Sequence, residues 1–172
     1  MEQHIDVKAV QKLFEDCFAL PKIELHAHIG GCLRAETFLQ LSGEREIDID
    51  HIDFYNVDVA MAFEIFKAVG LVLTDLNILE RVVREIIEDY AKYNCVYLEL
   101  RSTPKSFTDK WNPGSKTTME DYIDRVLKVL KEADEVMGDK IKVRYIASVN
   151  RSAPVENAQQ IIDLAIKYKT EK

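Results

Sequence analysis

Apolar residues recur along the chain at two different spacings. Two-residue alternation over 22–29, 95–101 and 141–149 predicts three β-strands. Spacings of three and four residues predict helices over 5–19, 35–42, 58–72 and 75–93, then from Thr117 to Gly138 and from Pro154 onward. Strands separated by helices that each bury one face predict a parallel sheet with right-handed crossovers.

Local signals predict where several helices begin and what they bury. Thr74 is the predicted N-cap of the 75–93 helix, and Thr117 with Glu120 is the predicted capping box of the next long helix. Asn94 is predicted to end the 75–93 helix. The last helix is predicted to bury one stripe of apolar residues: Val155, Ala158, Ile161, Ile162, Ala165 and Ile166.

Two polar segments are predicted to be loops. Residues 44–55 are acidic and irregular, and residues 102–116 contain Pro104, Pro113 and Gly114. The whole chain has three predicted strands, whereas a (β/α)₈ barrel needs eight strands and about 250 residues. The α/β pattern therefore indicates either a small open unit or the front part of a barrel.

Composition narrows the classes of partner. The 172 residues carry a net charge of −7, which argues against nonspecific binding to nucleic acid or to an anionic membrane. No apolar run approaches the length of a membrane span, and charged residues interrupt every apolar run near the N-terminus. Cys17, Cys32 and Cys95 are widely spaced, as expected for free thiols. A cytosolic protein is the expectation.

Two histidines stand at the end of the first predicted strand. Residues two apart on a strand point to the same side, so His26 and His28 emerge together just before Gly30 and Gly31. Neutral imidazole is a favoured ligand of zinc and similar divalent ions. On spacing alone, a metal site and a pair of histidines satisfied by backbone carbonyls both remain open.

The ends of the other two strands carry further polar groups. Residues 101–105, with the sequence Arg-Ser-Thr-Pro-Lys, follow strand two, and Asn150 and Arg151 follow strand three. Two hydroxyls, backbone N–H groups and an ammonium are the donors that a phosphate monoester requires. The alternative is that Ser102 and Thr103 cap a turn while Lys105 is simply solvated.

Three segments resemble a known enzyme family. Residues 20–28, Leu-Pro-Lys-Ile-Glu-Leu-His-Ala-His, resemble the first-strand signature of the adenosine deaminase group of amidohydrolases. Residues 97–105, Tyr-Leu-Glu-Leu-Arg-Ser-Thr-Pro-Lys, and residues 143–149 are similar to the adenosine deaminase-like branch, the N6-methyl-AMP deaminases. The resemblance runs from about residue 18 to Lys172.

The resemblance implies zinc-dependent hydrolytic deamination of a purine nucleoside monophosphate to IMP. It implies that the chain is the N-terminal part of a (β/α)₈ TIM barrel, three parallel strands with their helices, within one partial domain over 1–172. His26 and His28 would bind Zn²⁺. The implied substrate-binding residues are His28, Gly30, Ser102, Thr103, Pro104 and Lys105.

The same resemblance implies an incomplete site. The family's catalytic Glu and its remaining zinc ligands come from later strands, beyond residue 172, so no catalytic residue is expected within this chain. His4 precedes strand one, and His51 lies in the acidic loop. Neither can replace the missing zinc ligands. Gly30 stands where the family usually has Asn or Asp, and a family His is replaced near Gly70.

Three alternatives accompany this interpretation. The activity is N6-methyl-AMP deamination or the related deamination of adenosine or AMP. A non-catalytic isoform would act as an interaction module, self-associating through the unpaired edge of strand three, although the full-length family is expected to be monomeric. A metal phosphoesterase with the same histidine pair is the third alternative.

Overall fold

The computed structural model describes residues 6–108 and 116–169. In these two ranges, three strands and six α-helices follow the predicted order. They are α1 (Val7–Ala19), β1 (Lys22–His28), α2 (Ala35–Glu44), α3 (Val59–Val72), α4 (Leu76–Lys92), β2 (Cys95–Ser102), α5 (Met119–Met137), β3 (Lys142–Ala147) and α6 (Val155–Lys169). A short 3₁₀ turn, Ile29–Gly31, follows β1. The predicted α/β class is confirmed.

The strands form one parallel sheet in the order β1-β2-β3. The carboxyl ends of all three strands therefore meet at one edge, as predicted. The pairing of β1 with β2 is irregular: Glu24 lies opposite Leu98 and Ala27 opposite Leu100. Leu25 and His26 together thus face the single residue Glu99, which makes a β-bulge that includes His26 itself.

The core lies between the sheet and the helices α4 and α5. Leu98 and Leu100 of the central strand are both 0% exposed. The buried side chains that share this core on the two helices are Ile78, Leu79, Val82, Val83, Ile86, Ile87, Tyr122, Ile123, Val126, Val129 and Ala133. The fully apolar stripe of α4 explains why it packs against the strands along its length.

The opposite face of the sheet carries no helix layer within the described ranges. Ile23 pairs with Tyr97 on this face and is 65% exposed, and Leu25 is 57% exposed. We call it the open face. Helix α1, which was expected to be amphipathic, has no buried residue. The molecule thus shows a large apolar surface.

The predicted stripe of α6 is confirmed at Ile161 and wrong at most of its other positions. Val155, Ile162 and Ile166 are exposed, whereas Ile161 and Leu164 are the buried residues of this helix. The covered side lies about a quarter turn from the centre of the predicted stripe. The way α6 packs on the rest of the fold selects its buried side, and its own apolar spacing does not.

Two predicted caps are displaced by one residue. The N-cap of α4 is Asp75 rather than Thr74, because the Asp75 carboxylate accepts hydrogen bonds from two backbone N–H groups of the first turn. The capping box of α5 is formed by Thr118 and Asp121 rather than by the Thr117–Glu120 pair. A short acidic side chain serves there in place of the longer Glu.

Asn94 ends α4 in the left-handed region, with φ 59°. Its side-chain amide donates to the carbonyl oxygen of Ala19 at 2.6 Å, and its own carbonyl accepts from the backbone N–H of Lys22 at 2.9 Å. The predicted helix stop is confirmed, and the residue also fastens the end of α1 and the start of β1 to the sheet.

The two predicted loops are confirmed in part. Ile52 of the acidic segment is 7% exposed and belongs to the core, so that loop is anchored. Pro113 and Gly114 of the second loop, together with His4, lie outside the described residues. In the ranges that the structure covers, each helix is too short or too polar to cross a bilayer.

Candidate functional site

The two predicted metal ligands lie side by side at the end of β1. Nε2 of His26 is 3.0 Å from Nε2 of His28, and the ring centroids are 5.0 Å apart. Both side chains are exposed. The bulge at Leu25 and His26 sets their direction, as bulges next to functional sites commonly do. Two imidazole nitrogens that converge in this way fit two ligands of one divalent ion.

The described part of the chain does not complete a metal site. No group of three or more His, Cys, Asp or Glu side chains that could hold an ion occurs within 6–108 and 116–169. His51 lies in the acidic loop and is not brought to the pair. The histidines therefore fit zinc as two ligands of a larger set.

Arg101 of β2 adjoins the histidine pair. It pairs with His28 in the sheet register, and its Nη1 is 3.1 Å from Nε2 of His26. Its Nε donates to Oγ of Ser148, beyond the end of β3, at 3.2 Å. Partial burial, the Arg101 charge and the neighbouring His26 all lower the pKa of His28. His28 is thus held neutral, which is the protonation state that binds metal.

The predicted phosphate-binding turn begins where β2 ends. Ser102 and Thr103 are half-buried, Pro104 is buried, and Lys105 is exposed. The ammonium of Lys105 lies 5.3 Å from the ring centroid of Phe107. Desolvation by the surrounding protein lowers its pKa, although the chain of the lysine reaches solvent. Within the described ranges no carboxylate pairs with it, so its charge remains available to a ligand.

A cleft of about 290 Å³ joins these groups. Five of the predicted site residues line it: His28, Gly30, Ser102, Thr103 and Lys105. Arg101 lines it too, and no Asp or Glu does so in the described part of the chain. The cleft is therefore cationic and suits an anion. Pro104 lies instead in a neighbouring cleft of about 320 Å³ that shares Thr103 and Lys105.

Gly30 is not required by the backbone. Its φ is not positive, and a Cβ added there would approach nothing closer than Cγ1 of Val69, at 3.7 Å. A side chain would therefore be accommodated at Cβ. The glycine leaves the cleft wider at this point, next to His28.

Sequence reasoning missed two tyrosines at this site. Tyr122 of α5 and Tyr145 of β3 both place their hydroxyls within 3.0 Å of Oγ of Ser102. A signal for Tyr122 existed, because it stands four residues before Val126 on the buried side of its helix. A buried tyrosine hydroxyl must find a partner, and a strand-end serine is such a partner.

The chain is similar to one protein family and to curated relatives from several organisms. The adenosine deaminase family model matches residues 21–172. The N6-mAMP deaminase of Arabidopsis thaliana is 33% identical over 174 residues, covering 88% of this chain and 49% of the relative. The N6-Methyl-AMP deaminase of Bos taurus is 27% identical, covering 87% of this chain and 42% of the relative. The chain spans about half the length of the curated relatives it matches.

Solved structures show the same relation. The crystal structure of an Arabidopsis N6-mAMP deaminase superposes with a TM-score of 0.75 at 33% identity, covering 90% of this chain and 48% of that chain. The match to an Arabidopsis ADAL complexed with IMP has the same values. An amidohydrolase from Burkhoderia ambifaria with bound Zn gives a TM-score of 0.71 at 26% identity, with 96% and 45% covered.

These matches confirm the predicted architecture: the three strands and their helices are the N-terminal part of a TIM-barrel amidohydrolase fold. The family model covers 152 of the 172 residues, from 21 to 172. The chain belongs to the adenosine deaminase family.

Proposed function

We propose that this chain supplies the first two zinc ligands and the phosphate-binding turn of an enzyme that hydrolyses N6-methyl-AMP to IMP and methylamine. The observation that carries the proposal is one cationic cleft shared by His28, Gly30 and the Ser102–Lys105 turn. The Arabidopsis structures with IMP and with GMP support a purine nucleotide as the ligand.

His26 and His28 would hold the zinc ion through their converging Nε2 atoms. When bound, zinc activates water for attack on the purine carbon that bears the amino group. The role of the chain's own residues is positional. The sheet register fixes the strand end that carries the imidazoles, and the lowered pKa of His28 keeps that ring neutral.

The turn after β2 would select a nucleotide over a nucleoside. Lys105 provides a positive charge without a carboxylate partner in the described ranges, and Ser102 and Thr103 provide hydroxyl donors along the same wall of the cleft. Charged hydrogen bonds of this kind contribute about 1.5–3 kcal/mol each.

We place the enzyme in the cytosol. Cys17, Cys32 and Cys95 are all free thiols, which is the ordinary state in a reducing compartment.

Zinc binding tests the first half of the proposal. Isothermal titration of the 172-residue chain with ZnCl₂ is expected to give one site that is weakened at least about tenfold by either His26→Ala or His28→Ala. His51→Ala is the matched control, because His51 is exposed outside the site. Equal zinc affinity in all four proteins would refute the ligand assignment.

Nucleotide selection tests the second half. NMR titrations of the chain with AMP and with adenosine are expected to show tighter binding of AMP, and Lys105→Met is expected to remove most of the difference. Lys92→Met is the control, since Lys92 also lies over an aromatic ring but outside the cleft. Equal affinities of the wild-type chain for AMP and adenosine would favour an adenosine deaminase instead.

A further inference from the structure

Three hydroxyl groups meet at the carboxyl end of β2. Oγ of Ser102 lies 2.9 Å from Oη of Tyr122 and 3.0 Å from Oη of Tyr145. The three residues come from α5, β2 and β3, so the cluster joins one helix to two neighbouring strands. Tyr122 is 3% exposed, and its ring packs against Phe107 with the centroids 5.7 Å apart.

The protons of the three hydroxyl groups decide which group donates to which. The hydroxyl of Tyr122 donates to Oγ of Ser102 at 2.9 Å, and the hydroxyl of Tyr145, 3.0 Å from the same oxygen, can donate to it as well. With both phenol protons directed at Oγ, the serine proton is left for another acceptor. Burial raises the pKa of Tyr122 to about 12 and raises that of Tyr145 as well, so both phenols keep their protons at neutral pH.

The cleft is where such an acceptor would bind. Ser102 and Tyr122 line the same cleft as Thr103 and Lys105. A phosphate group at neutral pH consists mainly of acceptor oxygens and is bound by groups that donate. A serine hydroxyl on its own rotates freely, so fixing its orientation costs entropy. The Ser102 hydroxyl already receives a hydrogen bond that restricts its rotation.

We propose that Tyr122 and Tyr145 are positioning residues, which hold the Ser102 hydroxyl as a hydrogen-bond donor to the phosphate group of the nucleotide. This inference rests on the proposed function. The tyrosines act through Ser102.

The test measures discrimination between AMP and adenosine by the 172-residue chain. Tyr122→Phe and Tyr145→Phe each remove one oxygen and keep the ring. Each is expected to weaken AMP binding about 3- to 10-fold in NMR titrations while leaving adenosine binding unchanged. Tyr90→Phe is the matched control, because its hydroxyl faces Cys32 at 3.9 Å and not Ser102.

A double-mutant cycle tests whether Tyr122 acts through Ser102. In a Ser102→Ala background, Tyr122→Phe is expected to cause no further change in the AMP-to-adenosine ratio. Equal weakening of both ligands, or a lower melting temperature with an unchanged ratio, would show a purely structural role and overturn the inference. If Tyr122→Phe does not fold, the same cycle with Tyr145→Phe decides the matter.

The outcomes also separate this inference from the proposed function. A wild-type chain that binds AMP no better than adenosine contradicts both. A wild-type chain that prefers AMP and loses that preference in Lys105→Met, but keeps it in both tyrosine variants, contradicts the inference alone.

Discussion

The two faces of the sheet are expected to respond very differently to the loss of a large apolar side chain. Leu100 of β2 is 0% exposed beneath the helices, whereas Ile23 of β1 is 65% exposed on the open face. Both substitutions to alanine remove three carbon atoms. Comparing Leu100→Ala with Ile23→Ala therefore keeps the chemistry constant and varies only the burial.

The expected magnitudes follow from that burial. For Leu100→Ala, three buried carbons at about 0.8 kcal/mol each give about 2.4 kcal/mol. A residual cavity of about 40–80 Å³ adds about 1–2 kcal/mol, for a total of about 3.4–4.4 kcal/mol. For Ile23→Ala, only about a third of the transfer term applies and no cavity forms, so the cost is about 1 kcal/mol or less.

Urea unfolding followed by circular dichroism measures both free energies of unfolding. Equal losses of unfolding free energy in Ile23→Ala and Leu100→Ala would contradict this prediction. That result would mean that the open face is covered in solution, and light scattering would then show whether a second copy of the chain covers it. Leu98→Ala, also at 0% exposure, should match Leu100→Ala.

Two further predictions concern helix ends. Thr118→Ala should lower the free energy of unfolding by about 1 kcal/mol, or the melting temperature by about 2–4 °C. Hydrogen bonds from Thr118 hold the pKa of Asp121 below its usual range. The part of this stabilisation that depends on the Asp121 charge is present above the unfolded-state pKa and is lost as pH falls through the lowered pKa. The difference between the wild-type and Thr118→Ala stability curves should therefore narrow in acid, below the usual pKa range of an aspartate. At Asn94, where φ is 59°, Asn94→Ala should cost about 1–2 kcal/mol in thermal unfolding. Asn94→Gly should cost less, because glycine accepts that conformation and loses only the bond to Ala19. Equal losses for the two Asn94 variants would contradict the backbone argument.

The sequence was sufficient for the strands, the helices and the side-by-side placement of the histidines. Alternation over 95–101 and helical spacing over 75–93 are strong local signals, and the structure reproduces both. His26 and His28 were expected together because they are two apart, and the structure brings them together. Their binding of metal stays a prediction.

What the sequence could not provide depends on contacts between distant residues. The bulge at Leu25 and His26 arises from the register of β1 against β2, and no residue type within β1 predicts it. The buried side of α6 is selected by what packs on it, so Ile161 and Leu164 are covered while Ile166 is not. The hydroxyl cluster joins residues 20 and 43 positions from Ser102 in the chain, beyond the reach of any local pattern.

The order of the strands has a consequence for how the protein is made. Because β2 lies next to β1 and β3 next to β2, each strand pairs with the one synthesised before it. Each strand can therefore join the sheet as the chain leaves the ribosome, because no later strand has to insert between two earlier ones. Sequential assembly of this kind also shields the hydrogen-bonding edge of each strand soon after it appears, which limits mispairing between nascent chains.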